Sequence, residues 1–580
     1  MAAVAAALVL GAFLIAYRFY ARFLGERIYQ DQEDFVTPAH ELDDGVDFVP
    51  TQRAVLFGHH FTSIAGAAPI IGPCVAAYWG WGPALVWVVL GTIFMGAAHD
   101  FGALVASIRE KGHSIADITA KTISPRARIL FMCFVLVLIW LVLAVFAMAI
   151  AGLFVSQPTS VIPINIQIVV AVVIGWLVYK RQVKILWPSL IALAVLYFFV
   201  WVGTEVPVDF VAMGFDQHKV TTGWIFFLLV YSAIASLLPV WLLLQPRDYI
   251  NSHQLFVGLG LLFLGVLVAH PNFDAPAYRS PEAGAPSIFP ILFVTIACGA
   301  ISGFHGLVSS GTTSKQIDRM SDARIIGYGA MLGEGSLALA STLAAVAGIG
   351  LVGACTLPGQ GLVDDLSWAV YYDSWAHAGG NKAAAFVLGG GAFLEAVGLS
   401  SELARTLMAV LVIAFAATSL DTATRIQRFI LSELGEALRI KSLTNPYIAT
   451  VIAVVPAMYL ALAETPDPST GQAKAVGWVL WPIFGASNQL LAALTLMTLS
   501  LYFFARKRPV WPLVIPMLLV MPVAALALIS KLQQFLAEEN APLTALAALL
   551  LGLLIWMIVE GLLAVQRLRR ASEGSDRIWF

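Results

Sequence analysis

The chain has 580 residues, of which 59% are hydrophobic and 12% are charged, and its formal net charge is −2. A soluble protein carries about a quarter charged residues, so this composition indicates a polytopic membrane protein and excludes a soluble globular one. The near-neutral charge gives no case for nucleic-acid binding. Four cysteines stand singly (Cys74, Cys133, Cys298 and Cys355), a pattern that argues against disulfides and thiolate metal sites.

Apolar stretches long enough to cross a membrane recur along the whole chain. A spanning helix needs about 20 mostly apolar residues, and about 15 stretches meet that requirement. The first is followed, rather than preceded, by positive charge, so we interpret it as an uncleaved span and not a secretory signal. The Gly-rich segment 383–399 is either a further span or a re-entrant element. The predicted spans are 2–24, 54–78, 80–107, 129–155, 164–179, 185–203, 223–245, 253–270, 288–312, 325–353, 403–424, 446–463, 475–505, 510–530 and 543–567.

Basic residues predict the orientation of these spans. With the N-terminus outside, nearly every basic cluster falls in the cytoplasm together with the C-terminus, provided that 383–399 does not cross. The acidic segment 30–49 is then expected to be a solvated cytoplasmic link, and 114–128 a helix along the cytoplasmic interface. The clusters are the basic residues of 18–27, 109–128, 180–184, 315–324, 425–428, 506–508 and 567–570, with Arg247.

One phrase, G-x-H-x5-G, occurs twice inside apolar spans, at 58–66 and at 303–311. Backbone broken by Gly and polar residues is costly in lipid unless it lines a cavity enclosed by protein. Paired broken helices in two related halves point to the substrate site of a transporter. The sequence therefore predicts that the helix unwinds at both phrases.

The predicted spans also agree with an inverted repeat. The first broken span runs from inside to outside and the second runs the opposite way, so five spans from each form inverted halves, 54–203 and 288–505. An inserted helix pair occupies 204–287. The remaining parts are a first helix with its acidic link at 1–53, and two peripheral helices with a tail at 506–580.

The residues of the two phrases are the candidate substrate-binding groups, because unwound backbone, imidazoles and hydroxyls can bind a small polar molecule. The alternatives are packed histidines, hydroxyls that hold helices together and amides that bridge helices. The candidates are Gly58, His59, His60, Thr62, Ser63, Gly66, Gly303, His305, Ser309, Ser310, Gly311, Asn488 and Gln489.

A second set of polar residues is predicted to couple transport to a cation. The adjacent hydroxyls of Thr418 and Ser419 can bind Na⁺. Asp421 is an intramembrane acid and hence a functional candidate, although it can instead pair with Arg425 one turn later. The proton-relay candidates, which can equally be mutual structural pairs, are His99, Asp100 and Glu334.

Several long segments make the chain resemble one known family. FGHHFTSIAGAAPIIGP, GAAHDFGALVASIREKG, GFHGLVSSGTTSKQI, SLDTATR and WPIFGASNQLLAALTL occur in order, within about residues 37 to 505. They resemble the carbon starvation protein A (CstA) family, which implies peptide transport on starvation or proton-coupled pyruvate symport. The resemblance also implies a leucine-transporter-like core of the amino acid–polyamine–organocation superfamily.

The resemblance carries over to a few positions only. In sodium-coupled relatives with this core a pair of neighbouring hydroxyls binds Na⁺, and Thr418, Ser419, Asp421 and Thr422 match the similar Thr-Ser-x-Asp-Ser phrase of the betaine/choline transporters. The two G-x-H-x5-G phrases match the unwound stretches that flank substrate in the superfamily. Proton-coupled members of the superfamily often place a Lys on the fifth core helix. Here only Lys184, at the edge of span 185–203, is available.

Together these features predict a secondary active transporter of the bacterial inner membrane that takes up pyruvate or short peptides with H⁺ or Na⁺. Its expected partners are a small-molecule substrate and membrane lipid, with no cofactor beyond the coupling ion and no nucleic acid. The alternatives are a gated channel for small carboxylates and an intramembrane metal-dependent enzyme. No H-E-x-x-H spacing supports the enzyme.

Overall fold

The computed structural model describes residues 1–32, 34–181, 183–282, 284–357, 361–380, 383–466 and 473–573. It is 79% helical, which confirms the prediction of an all-α membrane protein. Within the described residues, twelve helices are long and apolar enough to cross a membrane, and one bent pair adds a thirteenth span. The predicted loop 464–474 and the C-terminal tail lie partly outside the described residues.

The first half of the chain forms eleven α-helices, several of which continue into one another through π-helical turns. The segment from Ala2 to Tyr29, for example, is one span built from α1, α2 and two π-helical turns. These helices are α1 (Ala2–Ala16), α2 (Arg22–Leu24), α3 (Pro38–Glu41), α4 (Arg53–Ile64), α5 (Ala68–Ala76), α6 (Trp81–Gly91), α7 (Ala97–Arg109), α8 (Ile115–Thr122), α9 (Pro125–Ser156), α10 (Val161–Arg181) and α11 (Leu186–Glu205).

The second half adds thirteen α-helices and two short antiparallel strand pairs, β1 with β2 and β3 with β4. The helices are α12 (Gln217–Leu237), α13 (Leu244–Ala269), α14 (Ile288–Thr295), α15 (Gly303–Gly311), α16 (Ala330–Leu343), α17 (Trp368–Tyr371), α18 (Trp375–Gly380), α19 (Ala384–Ala396), α20 (Ser401–Leu438), α21 (Pro446–Leu462), α22 (Val476–Ala505), α23 (Trp511–Ala537) and α24 (Ala541–Glu573). The strands are β1 (Cys355–Leu357), β2 (Gly361–Val363), β3 (Glu464–Pro466) and β4 (Ala473–Ala475).

Every predicted span coincides with a helix or a broken helix pair. The helices α9, α20 and α22 are mostly buried, whereas only about a third or less of the apolar window of each span containing α1, α23 or α24 is buried, as in lipid-facing helices. The segment 383–399 forms α19, a helix of 13 residues. At 1.5 Å per residue it reaches about 20 Å, less than the roughly 30 Å of the hydrocarbon core. That length favours a re-entrant element, which stays a prediction, as does the inverted repeat.

The boundary predicted inside the inserted pair was wrong. The predicted spans 223–245 and 253–270 leave Arg247 in a cytoplasmic loop, but α12 ends at Leu237 and α13 begins at Leu244. Arg247 therefore lies within the first turns of a helix, and its side chain is only 2% exposed. Hydropathy treats an arginine as a loop residue and takes no account of carboxylate partners that allow it to be buried. The predicted boundary was therefore misplaced at Arg247.

The two broken spans exist, but the breaks are displaced from the repeated phrases. The first phrase ends α4, and only its last two residues, Ala65 and Gly66, lie in the break 65–67, where α4 and α5 bend by 44°. The second phrase is the helix α15, and its break, 296–302, precedes it. The phrases thus occupy opposite sides of their breaks, and the prediction that each phrase is itself unwound was wrong for 303–311. The broken spans meet at Gly72, where a Cβ would lie 2.4 Å from the carbonyl oxygen of Thr295.

Two segments expected at the surface are anchored to the helical bundle. The acidic link is not fully solvated, because Asp31 is buried against Arg324, and Asp47 pairs with Arg425 at 2.5 Å. The segment 114–128 contains the expected helix, α8, but most of its residues are buried. Ser114 caps that helix by accepting a hydrogen bond from the backbone N–H of Asp117.

Candidate functional site

The predicted site residues occupy the interior where α4, α7, α13, α15, α16, α20 and α22 meet. All of those side chains that carry a polar group are fully buried, so they face protein and not lipid. Their polar atoms need partners, because an unpaired buried polar group costs about 1–3 kcal/mol. The partners sort the candidates into four groups.

The first group, called here the His305 cluster, consists of His99 and Asp100 on α7, His305 on α15 and Glu334 on α16. Nδ1 of His305 lies 3.1 Å from Oδ2 of Asp100, and Nδ1 of His99 lies 2.7 Å from Oδ1 of the same carboxylate. Nε2 of His305 is 3.2 Å from Oε2 of Glu334, a distance suited to an ion pair, without the alignment of a hydrogen bond. Four candidates spread over more than 200 positions of sequence thus form one contiguous site.

Only titratable groups make up the His305 cluster. Among the described residues, no Lys or Arg lies within ion-pair distance of its four side chains. Two carboxylates with two neutral imidazoles would carry two uncompensated negative charges, and two added protons cancel them. A buried charge without an opposite charge beside it is strongly unfavourable. The number of protons bound by these four side chains therefore depends on which of them are in contact.

Gly306 on α15 allows the imidazole of His99 to pack closely against that helix. At Gly306 a Cβ would lie 2.8 Å from Cε1 of His99, so a larger residue would push the imidazole away from Asp100. The second repeated phrase thus contains His305 and, one residue later, the glycine that lets another histidine approach. That close approach explains a Gly in the middle of a helix, where it is otherwise unfavourable.

The second group, called here the Arg247 cluster, consists of His59, Tyr231, Arg247, Asp248 and Asp421, all buried except for part of Tyr231. The guanidinium of Arg247 contacts Asp248 at 2.9 Å, pairs with Asp421 and donates to the Tyr231 hydroxyl at 3.0 Å. Nδ1 of His59 lies 2.6 Å from Asp248. The cluster ties α4, α12, α13 and α20 together around one fixed cation.

The alternative partner considered for Asp421 was wrong. Asp421 pairs with Arg247 and not with Arg425, although Arg425 is one turn away on α20. Arg425 instead contacts Asp47 and donates to the backbone carbonyls of Ala235 and Leu238. Side chains four residues apart can meet on a helix, but here each finds a partner on another segment.

The third group consists of the hydroxyls of Ser63, Ser419 and Thr422 beside the first break. Ser419 donates to the carbonyl oxygen of Ser63 at 2.9 Å, and the hydroxyls of Ser63 and Thr422 are 3.1 Å apart. Thr418 lies elsewhere, since it accepts a hydrogen bond from Asn251 at 2.9 Å. The predicted pair of adjacent hydroxyls is therefore split, and only Ser419 of the two contacts the broken span.

The fourth group surrounds the second break. Asn488 on α22 accepts from the backbone N–H of Phe304 at 2.9 Å and donates to Ser302 at 3.0 Å. The neighbouring Gln489 donates to the carbonyl of Phe293 at 3.1 Å. Both amides thus bridge helices, the second of the two roles considered for them. They satisfy backbone groups that the break leaves without helical partners.

The remaining candidates have mostly local partners. The Thr62 hydroxyl donates to the carbonyl of Gly58, and Ser310 donates to Gly306 and accepts from the N–H of Ile115. His60 contacts Thr313 through Nδ1 at 2.9 Å. Its Nε2 and the hydroxyl of Ser309 are buried without a hydrogen-bond partner among the described residues. These two atoms are therefore available to a bound molecule.

Sequence reasoning missed several residues of the site. Tyr231, Arg247, Asp248 and Asn251 were not candidates, and they supply much of the polar contact on the α13 side. A signal was present, because Arg247-Asp248 and Asn251 stand immediately before a long apolar run. A charged pair next to a span is ordinarily taken as the end of that span.

Comparisons with known proteins place the chain in a family. Residues 1–359 and 360–527 match the family described as carbon starvation protein CstA. A protein of Mycobacterium tuberculosis named peptide transporter CstA is 34% identical over 546 residues, which cover 86% of this chain and 71% of that protein. The Escherichia coli pyruvate/proton symporter BtsT is 32% identical over 571 residues, covering 87% of this chain and 78% of the symporter.

One solved structure that the chain matches is the manganese transporter of Eremococcus coleocola in complex with an aromatic bis-isothiourea substituted compound. It is 14% identical, has a TM-score of 0.46, and is matched over 91% of this chain and 99% of that one. The sequence relatives, together with the family match over most of the chain, decide the assignment. The chain belongs to the carbon starvation protein CstA family.

Proposed function

We propose that this protein is a secondary active symporter that takes up pyruvate or short peptides together with protons. Its family and its many apolar helices make it a membrane transporter. The substrate classes come from relatives named as peptide transporters and as a pyruvate/proton symporter. Proton coupling is supported by one observation on this chain, the buried His305 cluster of titratable groups.

The position of the cluster suits a coupling site. His305 lies on α15, directly after the second break, while its carboxylate partners lie on α7 and α16. If α15 moves relative to α7 and α16 during alternating access, the contacts of His305 with Asp100 and Glu334 change. Because each arrangement neutralises a different number of charges, the movement binds or releases protons.

A substrate carboxylate would bind near the first break, where the Nε2 atom of His60 is buried without a partner. His60 contacts Thr313, just beyond α15, so an anion at this nitrogen would connect the two broken spans. The second half of the first span, α5, begins nearby at Ala68, and its N-terminus favours negative charge. Binding here would favour the arrangement in which the two spans approach each other.

Sodium coupling is the alternative that a specific observation favours. The Ser63 carbonyl and the Ser419 and Thr422 hydroxyls lie together at the first break, and hard cations prefer oxygen ligands. In the structure, however, Ser419 already donates to the Ser63 carbonyl. A Na⁺ ion would have to replace that hydrogen bond, whereas the His305 cluster needs no rearrangement to hold protons.

Uptake into proteoliposomes tests the proposal. Labelled pyruvate and labelled dipeptides are offered with an inward proton gradient, an inward Na⁺ gradient, or neither. We expect accumulation above the external concentration only with the proton gradient. Accumulation that needs only Na⁺ would assign coupling to the hydroxyls. Flux that ignores both gradients would indicate a gated channel, and chemical conversion of the substrate would indicate an enzyme.

A further inference from the structure

A basic cavity lies far from the site, where α9 begins and α24 ends. Its volume is about 510 Å³, and its charged lining consists of Arg126, Arg567, Arg570 and Glu560. Three guanidinium groups against one carboxylate leave a net charge of +2 (3 − 1). Glu560 is only 8% exposed and accepts a hydrogen bond from Ser124, which also lines the cavity, at 2.8 Å, so its carboxylate already has one partner within the protein.

The three arginines of this cavity differ in their contacts with the rest of the protein. Arg567 donates to the backbone carbonyls of Ile123 and Leu563, which fixes its guanidinium at the cavity wall. Arg126 and Arg570 are exposed, and neither has a carboxylate partner among the described residues. Two exposed arginines beside a fixed third suit a phosphate group, which guanidinium binds through paired hydrogen bonds.

The surroundings indicate that the phosphate belongs to a lipid. Leu563 lines the cavity and is 46% exposed, and the adjacent face of α24 exposes Val559 and Leu562 at 47% and 60%. On a peripheral membrane helix such a face contacts acyl chains. A headgroup in the cavity would therefore have its chains along α24, an arrangement that a soluble phosphate cannot use.

We infer that this cavity binds the phosphate of an anionic phospholipid and so attaches α24 to the start of α9. The chemistry that recognises it is a phosphate oxyanion with attached acyl chains. The predicted orientation places this end of the bundle in the cytoplasm, where basic residues meet anionic lipid.

The test compares two variants that lose the same charge. Arg126→Gln/Arg570→Gln removes the two exposed cavity arginines and leaves Arg567 in place. Arg439→Gln/Lys441→Gln removes two exposed charges after α20, outside the cavity lining. Each protein is reconstituted in phosphatidylcholine with and without phosphatidylglycerol, and the retained phosphatidylglycerol is measured by native mass spectrometry.

At roughly 1 kcal/mol for each arginine near the surface, loss of two should weaken phosphatidylglycerol retention about 30-fold. The control variant should retain it as the unchanged protein does. Equal retention by the cavity variant, or an equal loss in the control variant, would overturn the inference. So would displacement of the lipid by millimolar inorganic phosphate, because the cavity would then be a soluble-anion site. Equal unfolding temperatures in pure phosphatidylcholine show that the variant is folded.

Discussion

The charged side chains of the His305 cluster and of the Arg247 cluster are all buried, yet the two clusters differ in their source of positive charge. In the Arg247 cluster a guanidinium, which stays charged at any physiological pH, pairs with Asp248 and Asp421. In the His305 cluster the only possible cations are imidazoles. The positive charge of Arg247 does not depend on the proton supply, whereas every positive charge in the His305 cluster comes from a proton gained by an imidazole.

The two clusters contain similar residue types, but the difference in the source of positive charge indicates different functions. Both contain a histidine, His59 (the residue before the repeated His60) in one case and the repeated His305 in the other, and both contain two carboxylates. We expect the Arg247 cluster to hold α4, α12, α13 and α20 together. We expect the His305 cluster to exchange protons as α15 moves. Substitutions at Arg247, Glu334, Asn488 and Ser419 should therefore differ in what they disturb.

The largest effect is expected from Arg247→Gln. It leaves Asp248 and Asp421 buried without their shared cation, and breaking a buried pair in this way costs about 3–5 kcal/mol. We expect poor expression and a strongly lowered unfolding temperature, measured by intrinsic fluorescence in detergent. The double variant Arg247→Gln/Asp421→Asn removes one of the stranded charges and should regain part of the loss. A single variant as stable as the unchanged protein would show that the cluster is not structural.

Glu334→Gln should abolish proton-driven accumulation while leaving the fold intact. The amide fills the same space but cannot take up a proton, so the accumulation ratio should fall to that of passive equilibration. Exchange of labelled for unlabelled substrate across the membrane should persist, because it needs no net proton movement. Glu402→Gln, an exposed position at the start of α20, is the matched control. Full accumulation by Glu334→Gln would remove that carboxylate from the coupling mechanism.

Asn488→Ala should destabilise the protein by about 1–3 kcal/mol, because the buried N–H of Phe304 and the Ser302 hydroxyl lose a partner. The neighbouring Gln489→Ala removes a single bond to the carbonyl of Phe293 and should cost less. Thermal unfolding of the two variants side by side measures the difference. If both cost the same, Asn488 has no special part in holding the second break.

Ser419→Ala should have the smallest effect, about 0.5–1.5 kcal/mol from the lost bond to the Ser63 carbonyl. Proton-driven uptake should continue at nearly the normal rate. Thr424→Ala serves as control, since its hydroxyl donates to Leu420 within α20. Selective loss of uptake in Ser419→Ala would transfer cation coupling from the His305 cluster to the hydroxyls.

The helices and the two broken spans could be predicted from the sequence because burial in lipid leaves a long, local hydropathy signal. Breaks were harder to place, since Gly and His occur both at the end of α4 and within the intact helix α15. Gly66 lies in a break, while Gly306 serves to admit His99. The sequence alone does not distinguish a glycine in a break from a glycine that admits a neighbouring side chain.

The partners of charged residues could not be predicted. His99, Asp100, Glu334 and His305 were all candidates, but nothing local indicates that they meet, because their contacts span more than 200 positions between α7 and α15. Arg247 was assigned to a loop, since its two carboxylate partners are an immediate neighbour and a residue 174 positions away. Rules that assign charged residues to loops fail where the fold buries a charge against an opposite charge.

Proton movement driven by substrate tests the central claim most directly, that the His305 cluster carries the coupling proton. Proteoliposomes with no imposed gradient contain a pH-sensitive dye, and pyruvate or a dipeptide is added outside. We expect internal acidification with the unchanged protein and none with Glu334→Gln, although Glu334→Gln still exchanges substrate. Equal acidification by both proteins would contradict it.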